Sequence, residues 1–126
     1  MKLPSFHILR VGMAVTFLWI GVLIFREPLA WGSYLQPWAV DFLLIPMKEA
    51  MIGTALLDIL IGVLLLVDVL TWLAALIGAL HMVVVLAVSG ITTITVRDIA
   101  LLAGLIALMT TSWPDKFKFW RKRGRT

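Results

Sequence analysis

Long apolar segments separated by short polar breaks dominate the pattern of this chain. A helix that crosses the roughly 30 Å hydrocarbon core of a bilayer needs about 20 mostly apolar residues. Four segments approach that length, and they cover residues 6–25, 46–66, 70–88 and 95–111. The pattern therefore predicts four transmembrane helices, of which the last is the shortest and relies on its flanks or on local bilayer thinning.

The composition supports this assignment. Hydrophobic residues make up 62% of the chain and charged residues 14%, whereas soluble domains have about 45–50% and about 25%. The connection between the second and third segments is so short that the two must be antiparallel neighbours. We predict one all-α membrane domain over residues 1–126, folded as an antiparallel four-helix transmembrane bundle.

Basic residues are unequally distributed between the two sides of this bundle, which indicates its orientation. With four spans both termini lie on one side. That side carries eight basic residues, namely Lys2, Arg10, Lys116, Lys118, Arg121, Lys122, Arg123 and Arg125, and the other side carries three, namely Arg26, Lys48 and Arg97. We therefore predict an integral protein of the plasma (inner) membrane with cytoplasmic termini, and no nucleic-acid partner.

Two segments outside the spans carry aromatic residues. The basic tail of residues 112–126 is typical of a cytoplasmic anchor, with capture of anionic lipids as the alternative. The outer loop of residues 26–45 contains Trp31, Tyr34 and Trp38. These side chains form either an interfacial belt or a lid, and residues 37–44 are a candidate for a short helix over the bundle.

Two ionisable residues are predicted near the middle of the membrane. At about 1.5 Å per residue, Asp58 in the second span and His81 in the third reach similar depths. Thr54 shares a helix face with Asp58, since they are four residues apart. Such residues are expected to be functional, so the three are candidates for a ligand or proton site. The alternative is an interhelical hydrogen bond that sets helix register.

Further charged residues are predicted at the ends of the bundle. Arg10 lies at the cytoplasmic end, and Glu49, Arg97 and Asp98 lie at the outer end. The outer group either anchors the helices at the interface or forms a polar mouth. Thr95 and Asp98 match a T-x-x-D capping pattern at the start of the fourth span.

The chain contains no cysteine, so it forms no disulfide, holds no iron–sulfur cluster through cysteine and has no thiol nucleophile. We predict no metal site. The residues do not establish a cofactor, and whether the protein is an enzyme stays open.

Four segments resemble the DoxX-like family of small four-helix membrane proteins in their order and spacing. They are "ILRVGMAVTFLWIG" (8–21), "LLDILIGVLLL" (56–66), "AALIGALHM" (74–82) and "TVRDIALLAGLIAL" (95–108). The family usually has Glu at the position of Asp58, and many members have a Lys soon after the W-x-G, where residues 22–25 are apolar here. The resemblance implies the four-helix fold and, from some members, quinone-linked redox chemistry.

Three functions follow as hypotheses. The first is a redox-associated accessory subunit that binds a quinone or another apolar ligand, with Asp58 and His81 at its polar head and a partner redox protein as the source of electrons. The second is a small proton-coupled carrier, acting as a homo-oligomer, with Asp58 as its proton site. The third is a non-catalytic assembly or scaffold protein.

Overall fold

The structure, a computed structural model, describes residues 4–114 of the chain. Within that range all regular elements are α-helices and no strand occurs. The helices are α1 (Pro4–Arg26), α2 (Pro28–Gly32), α3 (Pro37–Asp41), α4 (Met47–Leu66), α5 (Thr71–Ser89) and α6 (Val96–Ser112). From residue 115 onward the predicted basic tail lies outside the described residues, and its lipid contacts stay a prediction.

Three helices are long and apolar enough to cross a membrane, namely α1, α4 and α5. The fourth predicted span corresponds to α6, which has 17 residues, and its crossing of the membrane stays a prediction. The bounds of these four helices differ from the predicted segments by at most two residues.

Local sequence explains where the long helices end. In the connection between α4 and α5, Asp68 and Leu70 have left-handed backbone conformations, with φ of 57° and 49°. Asp tolerates this conformation better than most residues, and its carboxylate accepts a hydrogen bond from the Thr71 hydroxyl. At the end of α5, Gly90 has φ of 72°, which glycine adopts without steric cost.

The predicted outer loop contains two short helices. Helix α3 covers the first part of the segment 37–44, while α2 was not expected from the sequence. Pro28 and Pro37 each stand at the start of a helix, where the missing N–H has no intrahelical partner to lose. The backbone N–H of Gln36 donates to the carbonyl of Val88 at 2.9 Å. The loop is therefore attached to the end of α5.

The long helices pack in two closely associated pairs, α1 with α4 and α5 with α6, and further contacts join α4 to α5 and α1 to α6. In the first pair, Gly62 lies against Ala14 and Gly21 lies against Ala55. Because the positions rise along α1 as they fall along α4, these two helices run antiparallel. The buried core includes Phe17, Ile61, Leu65, Leu105 and Leu108.

The predicted capping box at the start of α6 was wrong. Thr95 is the residue before the helix, but its side chain makes no capping hydrogen bond. Its hydroxyl instead donates to the carbonyl of Gly90 and accepts from the backbone N–H of Thr92. The residue before α6 has helical dihedrals rather than the extended ones a side-chain cap needs, so the hydroxyl stabilises the preceding loop.

Candidate functional site

Asp58 of α4 and His81 of α5 lie next to each other in the interior. Nε2 of His81 is 3.1 Å from Oδ1 of Asp58, and Asp58 is only 3% exposed. The contact lacks the alignment of a hydrogen bond, so Oδ1 is buried without a hydrogen-bond donor among residues 4–114. Buried polar atoms usually have a partner. An acceptor oxygen at a cavity wall that has no donor within the protein is available to a donor group of a ligand.

Both residues line a cavity of about 650 Å³. Its walls come from α1, α4, α5 and α6, and the outer connection contributes Trp31, Tyr34 and Leu35. Most of the lining is apolar, including Phe17, Ile20, Leu23, Ile24, Met51, Met82, Val84, Val85, Val88 and Leu101. A volume of this size lies within the range of small-molecule sites, about 300–1,000 Å³.

Hydroxyl groups in the cavity are mostly engaged with their own helices. Thr54, the third predicted site residue, lines the cavity and donates its hydroxyl to the carbonyl of Ala50. Thr16 of α1 does the same toward Gly12. The single proton of each hydroxyl is engaged in this hydrogen bond, so toward a ligand each oxygen can only accept a hydrogen bond.

Arg97 and Asp98 stand together at the outer part of the cavity lining. Arg97 is exposed and Asp98 is half-buried. Asp58 and His81 lie close enough to Asp98 for electrostatic interaction with its carboxyl group. Arg97 and Asp98 thus lie at the outer end, or mouth, of the cavity, and their role as a polar mouth or as an interface anchor stays a prediction.

Arg10 and Glu49 do not line this cavity. The Arg10 guanidinium donates to the carbonyls of Leu65 and Leu66, at 2.6 and 2.8 Å, and so caps the C-terminal end of α4. A cation there also complements the helix dipole. Glu49 is exposed in the first turn of α4, where an acid suits the dipole of the opposite end.

Two aromatic residues of the lining belong to the outer connection, for which the sequence predicted a belt or a lid. Trp31 and Tyr34 have their rings 5.9 Å apart in an edge-on contact, and both line the cavity. The buried Ser89, on the same face of α5 as His81, and Thr16 also line it. Thr16 was not identified from the sequence, because the available signal was only a hydroxyl in an apolar helix.

No group of three or more His, Cys, Asp or Glu side chains in the described part of the chain could hold a metal ion. The cavity lining is mostly apolar and includes the polar side chains of Asp58 and His81.

The chain matches a known protein family. The DoxX family model matches residues 5–91, which extend from α1 to the end of α5. The segment 95–108, which carries part of the sequence resemblance, lies beyond the matched region. No curated protein and no solved structure matches the chain.

Proposed function

The chain belongs to the DoxX family, and from that premise we propose that this membrane protein binds a quinone, or a similar apolar ligand with a polar head, in its cavity. The observation that carries the proposal is the Asp58 carboxylate oxygen, buried without a hydrogen-bond donor beside His81 at the wall of an apolar cavity. A polar head that carries an O–H or N–H group would supply the missing donor, and the apolar walls would surround the rest of the ligand.

Access from the membrane supports a lipid-soluble ligand. Leu23 and Val84 line the cavity although 37% and 55% of their surfaces are exposed. In a membrane such exposed apolar surfaces of spanning helices contact lipid. A ligand dissolved in the bilayer could therefore reach the cavity between helices without passing through water.

The proposed biological role is that of an accessory subunit in a redox system. A quinone exchanges protons when it is oxidised or reduced, and a positioned carboxylate–imidazole pair is suited to proton transfer. The electrons would come from a partner redox protein, which contacts the chain from the membrane or from its surface. Anionic lipids at the basic tail are proposed as further partners.

We also propose the four-span topology for this function. Helix α6 would be the fourth span, because it packs along α5 and contacts α1 and contributes to the cavity wall. The antiparallel bundle would then sit in the plasma (inner) membrane with both termini cytoplasmic, as the eight-to-three distribution of basic residues indicates.

A proton-coupled carrier is the second candidate. The buried Asp58–His81 contact and the half-buried Asp98 nearer the mouth place ionisable groups at successive positions between the interior and the outer surface. Intramembrane groups arranged in this way are found in proton relays. Proton-driven flux in liposomes, without a retained ligand, would favour this candidate.

Blocking the cavity tests the binding proposal. Val85→Trp places an indole in the cavity, whereas Val83→Trp adds the same group to an exposed position outside it. Proteins are purified in native-lipid discs, and co-purifying small molecules are quantified by mass spectrometry. We expect near-stoichiometric quinone in wild type and in Val83→Trp, and at least a fivefold loss in Val85→Trp. Equal quinone contents in all three at equal thermal stability would contradict the proposal.

A further inference from the structure

The inner end of the cavity offers hydrogen-bond acceptors almost exclusively, which bears on the chemical form of the ligand and rests on the proposed function. Asp58 contributes a carboxylate whose Oδ1 has no donor within residues 4–114. An ionised carboxylate accepts hydrogen bonds and donates none. The most deeply buried polar group of the site is therefore an acceptor.

The neighbouring hydroxyls add further acceptors. The protons of Thr54 and Thr16 are directed to the carbonyls of Ala50 and Gly12. Such bonds to the preceding turn are typical of Thr in an apolar helix. Only lone pairs of these two oxygens remain for a ligand.

The nearest donor lies beside the carboxylate. Nε2 of His81 already lies against the carboxylate, 3.1 Å from Oδ1 of Asp58, although without the alignment of a hydrogen bond. Side chains that carry only donors, Trp31 and Arg97, belong instead to the outer lining. Apart from His81, donor-only side chains of the lining thus occur near the mouth, where Asp98 also lies, and not beside Asp58.

From this distribution we infer that the cavity binds the hydroquinone form of its ligand in preference to the quinone form. The carbonyl oxygens of a quinone only accept hydrogen bonds, so next to Asp58 they would leave two acceptors facing each other. A hydroquinone presents O–H groups, and a hydroxyl that donates to a carboxylate forms a short, charge-assisted hydrogen bond.

The size of the preference follows from this pairing. We expect the hydroquinone to bind at least about tenfold more tightly. For a two-electron couple, a tenfold difference in affinity changes the midpoint potential by about 30 mV. Because the reduced form is stabilised, the potential of the bound couple rises.

The inference is tested by anaerobic equilibrium dialysis against the protein in lipid discs. The measured quantities are the affinities for a short-tailed benzoquinone and for its hydroquinone. Binding to Val85→Trp is subtracted as the lipid background. The variant Asp58→Asn keeps the shape of the side chain but adds an N–H donor, and Asp68→Asn makes the same change in the connection between α4 and α5, outside the cavity. Thr54→Val removes one acceptor, with Thr110→Val, on the exposed face of α6, as its control.

The expected result is a hydroquinone preference of about tenfold or more in wild type, Asp68→Asn and Thr110→Val. The ratio of hydroquinone to quinone affinity should fall to about threefold or less in Asp58→Asn and to an intermediate value in Thr54→Val. Equal affinities, tighter quinone binding, or a preference unchanged in both cavity variants would overturn the inference while the binding proposal stands. No binding of either form above the Val85→Trp background would overturn both.

Discussion

The interior of this protein contains a contact between two ionisable side chains, Asp58 and His81. A carboxylate at the centre of a membrane helix costs about 2.5–3.5 kcal/mol on insertion scales. Replacing a buried ion pair by well-packed apolar residues is often neutral or stabilising. The contact at 3.1 Å is therefore poorly explained by stability alone, which favours a role in binding or proton transfer.

Replacing first one residue of the pair and then both tests whether the contact only sets helix register. His81→Leu leaves the Asp58 carboxyl group buried without its imidazole neighbour, and we expect it to lower the free energy of unfolding by about 3 kcal/mol. Adding Asp58→Leu should return stability to within about 1 kcal/mol of wild type. The measurement is reversible unfolding in mixed micelles. If the pair only sets helix register, the single change should cost about 0.6–1.7 kcal/mol and the second should give no recovery.

At the level of elements, the association of α1 with α4 depends on close approach of their backbones. A Cβ added at Gly62 would lie 2.6 Å from Cγ of Leu18 and 3.0 Å from the carbonyl oxygen of Ala14. Small residues allow such approach between helices in lipid, where apolar side chains provide little drive for association. At one end of the pair, Arg10 joins the two helices by capping α4.

Two alanine substitutions in the same helix test this interface. Gly62→Ala should lower the free energy of unfolding by about 1–3 kcal/mol, because overpacking must separate α1 from α4. Gly53→Ala is the control, since a Cβ there meets nothing within 4 Å, and it should stabilise the helix by about 0.5–1 kcal/mol. Thermal unfolding in detergent measures both. Similar effects of the two changes would show that the interface tolerates a side chain at Gly62.

The cavity is a property of the whole molecule, because four helices and the outer connection each supply part of its wall. Toward the other end, a side chain at Gly104 of α6 would meet Met13 and Leu9 of α1, and the rings of Trp72 and Trp113 are in contact. The helices are thus in close contact at the end that contains Gly104 and are separated at the end that contains the cavity mouth. The orientation of the molecule therefore decides which side of the membrane the mouth faces.

Single cysteines test that orientation directly, since the chain has no cysteine of its own. Ser33→Cys and Thr93→Cys lie in exposed connections near the mouth, and Ser5→Cys is exposed near the start of α1. A membrane-impermeant maleimide applied to intact cells should label the first two, and should label Ser5→Cys only after lysis. Labelling of Ser5→Cys and not of Thr93→Cys in intact cells would reverse the proposed orientation. Opposite accessibility of Ser33→Cys and Thr93→Cys would contradict the four-span arrangement.

Much of the fold could be predicted because membrane helices are recognised by local length and hydrophobicity. The family assignment was confirmed. The similar depth of Asp58 and His81 followed from counting residues along two helices joined by a short connection. The capping role expected for Thr95 was wrong because the backbone dihedrals of that residue depend on the loop that its own hydroxyl stabilises.

The cavity lining was harder to predict. A helix that is apolar on all sides shows no periodic difference between its inner and outer faces, so the sequence could not indicate that Thr16 lines the cavity. Trp31 and Tyr34 are suited equally to a membrane interface and to a cavity wall. Their position depends on α2, a five-residue helix too short to be recognised by periodicity.

The sequence by itself determined the membrane character of the chain, the extents of its long helices, its family and the apolar context of Asp58, because these depend on the composition of contiguous segments. Tertiary structure alone decided that Oδ1 of Asp58 is buried beside His81 without a hydrogen-bond donor, that Arg10 caps a different helix, and that a cavity of about 650 Å³ separates the helices. These features depend on the rotation of each helix about its axis and on packing between distant segments, which local composition does not specify.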